Sequence, residues 1–179
     1  MKISDEWPRR KSIRLSNYDY KSAGLYYITI CNVKNSNWFG RIDDKAMQLS
    51  SIGKIAEQYW KEIPLHYSNV RLHAFIIMPD HMHGIIELSG SQMPFVKSVP
   101  CQTNKAEFGN PQSNSVSMIM NQFKSSVKRW CNKNQLAYFK WQSRFYDHII
   151  DNYEEYVAIT DYIINNPARQ KTKFNIRFQ

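Results

Sequence analysis

The stretch Phe75 to Leu88, reading FIIMPDHMHGIIEL, limits the fold more than any other part of the chain. Apolar, mostly β-favouring residues run into Pro79 and Asp80, and a second such run leaves through Gly84, Ile85, Ile86 and Leu88. That pattern predicts two buried strands joined by a tight turn. His81 and His83 come just after the turn, with Met82 between them. Successive strand residues point to opposite faces, so both imidazoles project from one face and Met82 from the other. Two imidazoles side by side on a rigid face make half of a metal site. The plainer reading is two polar residues on a solvated sheet face, and the pair alone does not choose.

The rest of the chain supplies partners for that hairpin. Leu25 to Val33 (LYYITICNV) reads as a central strand, and Met47 to Leu49 as a short one after a loop around Trp38 and Phe39. Ser51 to Ile63 places Ile52, Ile55, Ala56, Tyr59, Trp60 and Ile63 at helical spacing, opened by Ser50 or Ser51 and closed by Pro64. Val70 to Met78 and Met82 to Leu88 form the hairpin. Val116 to Lys133 resumes helical spacing through Met120, Phe123, Val127 and Trp130. Tyr138 to Trp141 reads as a further short strand, and Arg144 to Ile150 is ambiguous. A last helix runs from Asn152 to about Asn165, with Glu154 and Glu155 in its favourable first turn and Pro167 as its stop. This order predicts an α+β fold of the ferredoxin-like (split βαβ) kind, with helices packed on an antiparallel sheet.

At 179 residues, 42% of them hydrophobic, the chain is expected to fold as a single domain, 1–179. Three segments stand apart: a basic arm over 1–21, an excursion over 89–115 rich in Ser, Gln, Asn and Pro, and a basic tail over 168–179. A net charge of +9 and a pI near 9.5 point to a polyanionic partner, nucleic acid before an anionic membrane surface. Arg9, Arg10, Lys11 and Arg14 in the arm, and Lys124, Lys128, Arg129 and Lys133 on the polar side of the 116–133 helix, are the candidate phosphate contacts. A solvated arm and a solvated helix face are the bland alternatives. No apolar run is long enough to span a bilayer and Met1 to Asn17 lacks the apolar centre of a signal peptide, so a cytoplasmic location without membrane contact is expected. Cys31, Cys101 and Cys131 form no CxxC pair and suit free thiols.

The histidines need a further ligand and, in an enzyme, a reacting group. Residues four apart share a helix face. Tyr153 has Val157 there, Tyr156 has Thr160 and Tyr146 has Ile150, whereas Tyr162 has Asn166. A helix face can therefore offer a phenol and a carboxamide together. If it lies over His81 and His83, the Asn166 amide oxygen completes a three-ligand site and Tyr162 comes within reach of a bound phosphate. A tyrosine near the end of an amphipathic helix also commonly packs in the core, and an asparagine before proline commonly caps or turns.

Taken together, YYITICNV at Tyr26 to Val33, MPDHMHGII at Met78 to Ile86 and FKWQSRFYDHIIDNYEEYVAITDYIINNP at Phe139 to Pro167 resemble the HUH single-tyrosine transposases. The segments WQSRFYDHII and DYIINNP are most similar to the branch associated with repetitive extragenic palindromes (REP). The resemblance implies His81, His83 and Asn166 as ligands of Mg²⁺ or Mn²⁺, and Tyr162 as a nucleophile that nicks and rejoins single-stranded or hairpin DNA through a 5′-phosphotyrosine. It also implies a homodimer, since two cleavages must be coordinated. The family's usual glycine shortly after the Asn-Pro step is missing from ARQKTKF, which bears on the DNA recognised. Two competitors remain: a non-catalytic RRM-like binding module that stacks bases on YYITI, and an HUH replication-initiation nuclease.

Overall fold

The computed structural model describes residues 22–33, 36–89 and 115–170. In chain order its elements are β1 (Gly24–Cys31), β2 (Gly40–Asp43), β3 (Ala46–Leu49), α1 (Ser51–Lys61), α2 (Ile63–His66), β4 (Val70–Ile77), β5 (His81–Leu88), α3 (Val116–Lys133), β6 (Tyr146–Ile150), α4 (Tyr153–Ile164) and α5 (Asn166–Gln170). The main sheet is antiparallel, in the order β4-β5-β1-β6. With α1 and α3 as the connecting helices this is the βαββαβ arrangement expected from the sequence. The arm over 1–21, the excursion apart from its end residues Ser89 and Ser115, and the tail from 171 onward lie outside the described residues.

Alternation along the strands sorts the side chains into two cores. Tyr26, Ile28 and Ile30 of β1 and Met82, Ile86 and Leu88 of β5 pack with Ile52, Ala56 and Trp60 of α1 and with Ile119, Phe123 and Val127 of α3. Leu25 and Tyr27 of β1, Ile85 of β5 and Ile150 of β6 pack instead with Ile163 of α4, flanked by Ile159 and Tyr162. Helices therefore cover both faces, and the histidine face is the one beneath α4.

Several local details differ from the sequence reading. Tyr138 to Trp141 is not a strand; Trp141 alone makes an isolated bridge to Asn32, and the ambiguous segment after it supplies β6. The short strand at 46–49 has a partner, β2, across a turn in which Asp44 and Lys45 both take positive φ. Pro64 does not close α1, which ends at Lys61; it sits in the first turn of α2, where a missing N–H costs nothing. Pro167 likewise falls near the start of α5, so residues 168–170 are helical rather than part of a tail. Ser50 caps α1 by accepting from Gly53 N–H at 3.1 Å, and Ser115 caps α3 by accepting from Met118 N–H at 3.3 Å.

Gly84, directly after the second histidine, is dictated by the core beneath it. A Cβ there would fall 2.4 Å from Cζ2 of Trp60, a fully buried indole hemmed in by Phe75 and Phe123. Gly84→Ala is therefore expected to destabilise the fold by about 1–3 kcal/mol, the usual cost of overpacking a closed core. Urea unfolding checks it; an unchanged midpoint would mean that Trp60 has room to withdraw.

Candidate active site

The β1–β5 register places Thr29 opposite His83 and Cys31 opposite His81. The strand β5 begins at His81, so both histidines are ordered strand residues on one face, with ring centroids 4.6 Å apart. His83 is buried, while His81 keeps about a fifth of its side chain exposed. Each ring is oriented through Nδ1. The Asp80 carboxylate lies 2.5 Å from His81 Nδ1 and, being an acceptor when ionised, takes the Nδ1–H. His83 Nδ1 lies 2.8 Å from the Tyr27 hydroxyl and 2.9 Å from Thr29 Oγ1. A shared Nδ1–H to those two oxygens is one of two possible tautomers, and it leaves Nε2 with its lone pair unprotonated, as on His81. A carboxylate or hydroxyl behind each imidazole is the usual setting of metal-ligating histidines. The donor set thus fits a divalent cation at the two Nε2 atoms. Among the described residues no group of three or more His, Cys, Asp or Glu side chains gathers to hold a metal. Among the described residues a further ligand would therefore be of another type, and the carboxamide of Asn166 is the sequence-derived candidate.

Burial pushes the Tyr27 phenol far above the ordinary tyrosine range; the Thr29 hydrogen bond opposes this and nearby Tyr162 adds to it. Tyr27 therefore stays neutral and serves as a support, its ring stacked on His83 at 5.6 Å and 20°. Asp80, Tyr27 and Thr29 were missed as site residues by sequence reasoning. Alternation from Tyr26 gave a signal for the last two, and the Asp immediately before His-x-His for the first.

Helix α4 sets Tyr162 against this pair. Its N-terminus is capped by Asn152, whose Oδ1 accepts from Glu155 N–H at 2.8 Å. The Glu155 carboxylate meets His148 Nε2 of β6 at 2.6 Å and accepts from Asp151 N–H at 3.0 Å. On the opposite edge the β4 register shifts between Leu72 and Phe75, so that His73 and Ala74 together face Ile85. His73 Nδ1 then meets the Tyr156 hydroxyl at 3.1 Å while its Nε2 meets Glu87 at 2.8 Å. Fixed from both sides of the sheet, α4 brings the half-buried Tyr162 ring to 5.4 Å from the His83 ring, edge to face at 66°. Asn166, one turn further on, opens α5 and is buried.

The basic candidates divide. Arg9, Arg10, Lys11 and Arg14 lie outside the described residues. Lys124 is not on a solvated face: it is buried and its ammonium donates to the carbonyls of Gln142 and Arg144 at 2.6 and 3.4 Å. Burial lowers its pKa below the ordinary lysine value, with Cys31 opposing. Lys128 donates to the carbonyls of Ala137 and Phe139. Arg129 and Lys133 are exposed. Tyr26 and Tyr27 are 0% and 4% exposed beneath helices, so YYITI offers no open surface for stacking bases.

A four-stranded antiparallel sheet thus presents a His-x-His strand to a tyrosine-bearing helix. Comparison with known proteins shows what this geometry is similar to. An uncharacterised Haemophilus influenzae protein is 39% identical over 161 residues, 88% of each chain, and this chain belongs to the same family. A second H. influenzae protein, named as a candidate REP-associated tyrosine transposase, is 25% identical over 87% of this chain and 77% of its own. The solved structure of a REP-associated tyrosine transposase bound to a REP hairpin shares the fold, with a TM-score of 0.56 and 18% identity over 93% of this chain and 74% of that one. No protein-family model matches. In sequence over most of its length, and in fold, the chain resembles REP-associated tyrosine transposases. No helix among the described residues is long and apolar enough to cross a membrane.

Proposed function

We propose that the chain nicks and rejoins single-stranded or hairpin DNA, with Tyr162 as nucleophile and with His81, His83 and Asn166 holding Mg²⁺ or Mn²⁺. The observation that carries this reading is the approach of Tyr162 to His83 on the face that also bears His81. When bound, the cation would neutralise charge on the non-bridging phosphate oxygens and polarise the phosphorus centre. Mixed nitrogen and oxygen ligation favours Mn²⁺ in vitro.

In the step itself, the Tyr162 oxygen bonds to phosphorus as the bond from phosphorus to the 3′ oxygen breaks. The phenol gives up its proton and the departing oxygen gains one, leaving a 3′ hydroxyl and a 5′-phosphotyrosine. One phosphodiester replaces another, so a different 3′ hydroxyl can reverse the step and join new ends without a nucleotide cofactor. An in-line attack needs a splayed backbone, which single strands and hairpin margins supply more readily than a stacked duplex. The hairpin held by the solved relative supports that choice of substrate. Coordinated cutting of two ends calls for a homodimer, measurable by light scattering.

Incubation with end-labelled hairpin DNA and Mn²⁺ tests the proposal: a denaturant-resistant adduct is expected, abolished by chelation. Specific hairpin binding with no adduct would leave a binding module instead. Tyr156 is a control phenol on α4, because its hydroxyl is committed to His73. Tyr156→Phe is expected to retain adduct formation within a few-fold and to cost about 0.5–1.5 kcal/mol of stability, the worth of one hydrogen bond. Chemical denaturation and the adduct assay on the same preparation check both.

A further inference from the structure

We propose that the cleft between α1–α2 and α3, across the sheet from the histidines, is a second nucleic-acid site. It would take one unpaired nucleotide, its base against an aromatic wall and its phosphate against Arg129 and Lys133. The cleft has a volume of about 420 Å³, within the range of small-ligand sites. Tyr59, Tyr67 and Trp130 line it, half-buried aromatic side chains of the kind on which bases of any sequence stack. Arg129 and Lys133 stand on its rim with His66, against one carboxylate, Glu62, which already accepts from Gln58 Nε2 at 2.8 Å. Among the described residues neither Arg129 nor Lys133 takes part in an ion pair. They thus differ from Lys124 and Lys128 of the same helix, whose ammonium groups are bound to carbonyls.

The sign of the rim selects the occupant. The chain's own 1–21 and 171–179 segments are basic and would be repelled, whereas a nucleic-acid strand brings both the anion and the ring. Because α1 and α3 pack on the Tyr26 and Met82 side of the sheet, and His83 and Tyr162 lie on the other, an occupant here leaves the proposed nicking site open. The proposal therefore does not rest on Tyr162 being a nucleophile.

The test uses the full chain, an eight-residue oligothymidylate, thymidine 5′-monophosphate and inorganic phosphate, read by tryptophan fluorescence, with Trp130→Phe to assign the signal. Saturable quenching by the oligonucleotide and, more weakly, by the mononucleotide is expected, lost in Trp130→Phe and unchanged in Tyr162→Phe. The exposed pair Arg129→Ala/Lys133→Ala is expected to weaken this binding at least tenfold. It should also flatten the dependence of log affinity on log salt by about 0.7, for one phosphate neutralised on a single strand. Equal quenching by inorganic phosphate, unchanged affinity in the double variant, or a Trp130 signal that changes on dilution without nucleic acid (a second copy in the cleft) would each overturn it.

Discussion

Tyr162→Phe is expected to lower covalent adduct formation by at least about a thousandfold, in line with the losses caused by deleting the nucleophile of an enzyme. The change removes a single oxygen. Its ring can still meet His83 edge to face, and its neighbours Ile159 and Ile163 keep their packing on Leu25 and Ile85. Stability should therefore move by less than about 1 kcal/mol, as for most changes that leave the core intact. Hairpin binding should survive as well, so a mobility shift with no covalent band is the expected pair of results. A variant that still forms the adduct would pass the nucleophile role to another hydroxyl. Tyr27 is a poor substitute, since burial keeps its phenol neutral and His83 and Thr29 engage it.

The parts of this site that sequence made visible were those fixed by local periodicity. Alternation across His81, Met82 and His83 is a property of any strand, and the capped start of α4 follows from Asn152 and Glu155 alone. The Tyr162 to Asn166 spacing singled out one tyrosine, but its meeting with His83 depends on how α4 lies over the sheet. That lie is set by contacts distant in sequence: His73 to Tyr156, His148 to Glu155, and Ile163 against Leu25 and Ile150. His73 reaches α4 because of an irregular register in β4, which no pattern in VRLHAFII reveals.

The basic side of α3 was misread for a related reason. A run of lysines with no acid near it looks like a face waiting for phosphate, yet backbone carbonyls are acceptors too. The irregular segment 137–144 leaves four of its carbonyls turned toward α3, and Lys124 and Lys128 satisfy them. Composition records the cations and is silent about carbonyls, so only Arg129 and Lys133 remain available of the four.

His83→Ala tests the cation half of the mechanism as Tyr162→Phe tests the phenol half. It removes one of two candidate imidazole donors and leaves the buried Tyr27 hydroxyl with Thr29 but without its 2.8 Å partner. Adduct formation should fall by at least about a thousandfold and Mn²⁺ binding, followed by electron paramagnetic resonance or calorimetry, should weaken in parallel. A stability loss of about 1–3 kcal/mol is expected from the loss of the two hydrogen bonds at His83 Nδ1. Because unfolding would mimic the first result, the companion Asp80→Asn matters. It keeps both imidazoles and replaces the carboxylate that orients His81 with an amide, a loss in the range of 10–100-fold for such supporting groups. If a cation is held here, that loss should be recovered at raised Mn²⁺, since a weakened ligand shifts affinity more than the maximal rate. Recovery in Asp80→Asn together with none in His83→Ala fits a metal between the two rings. Full activity of His83→Ala in the presence of a chelator would mean that these histidines serve only to pack α4, and the cation would have to be dropped from the mechanism.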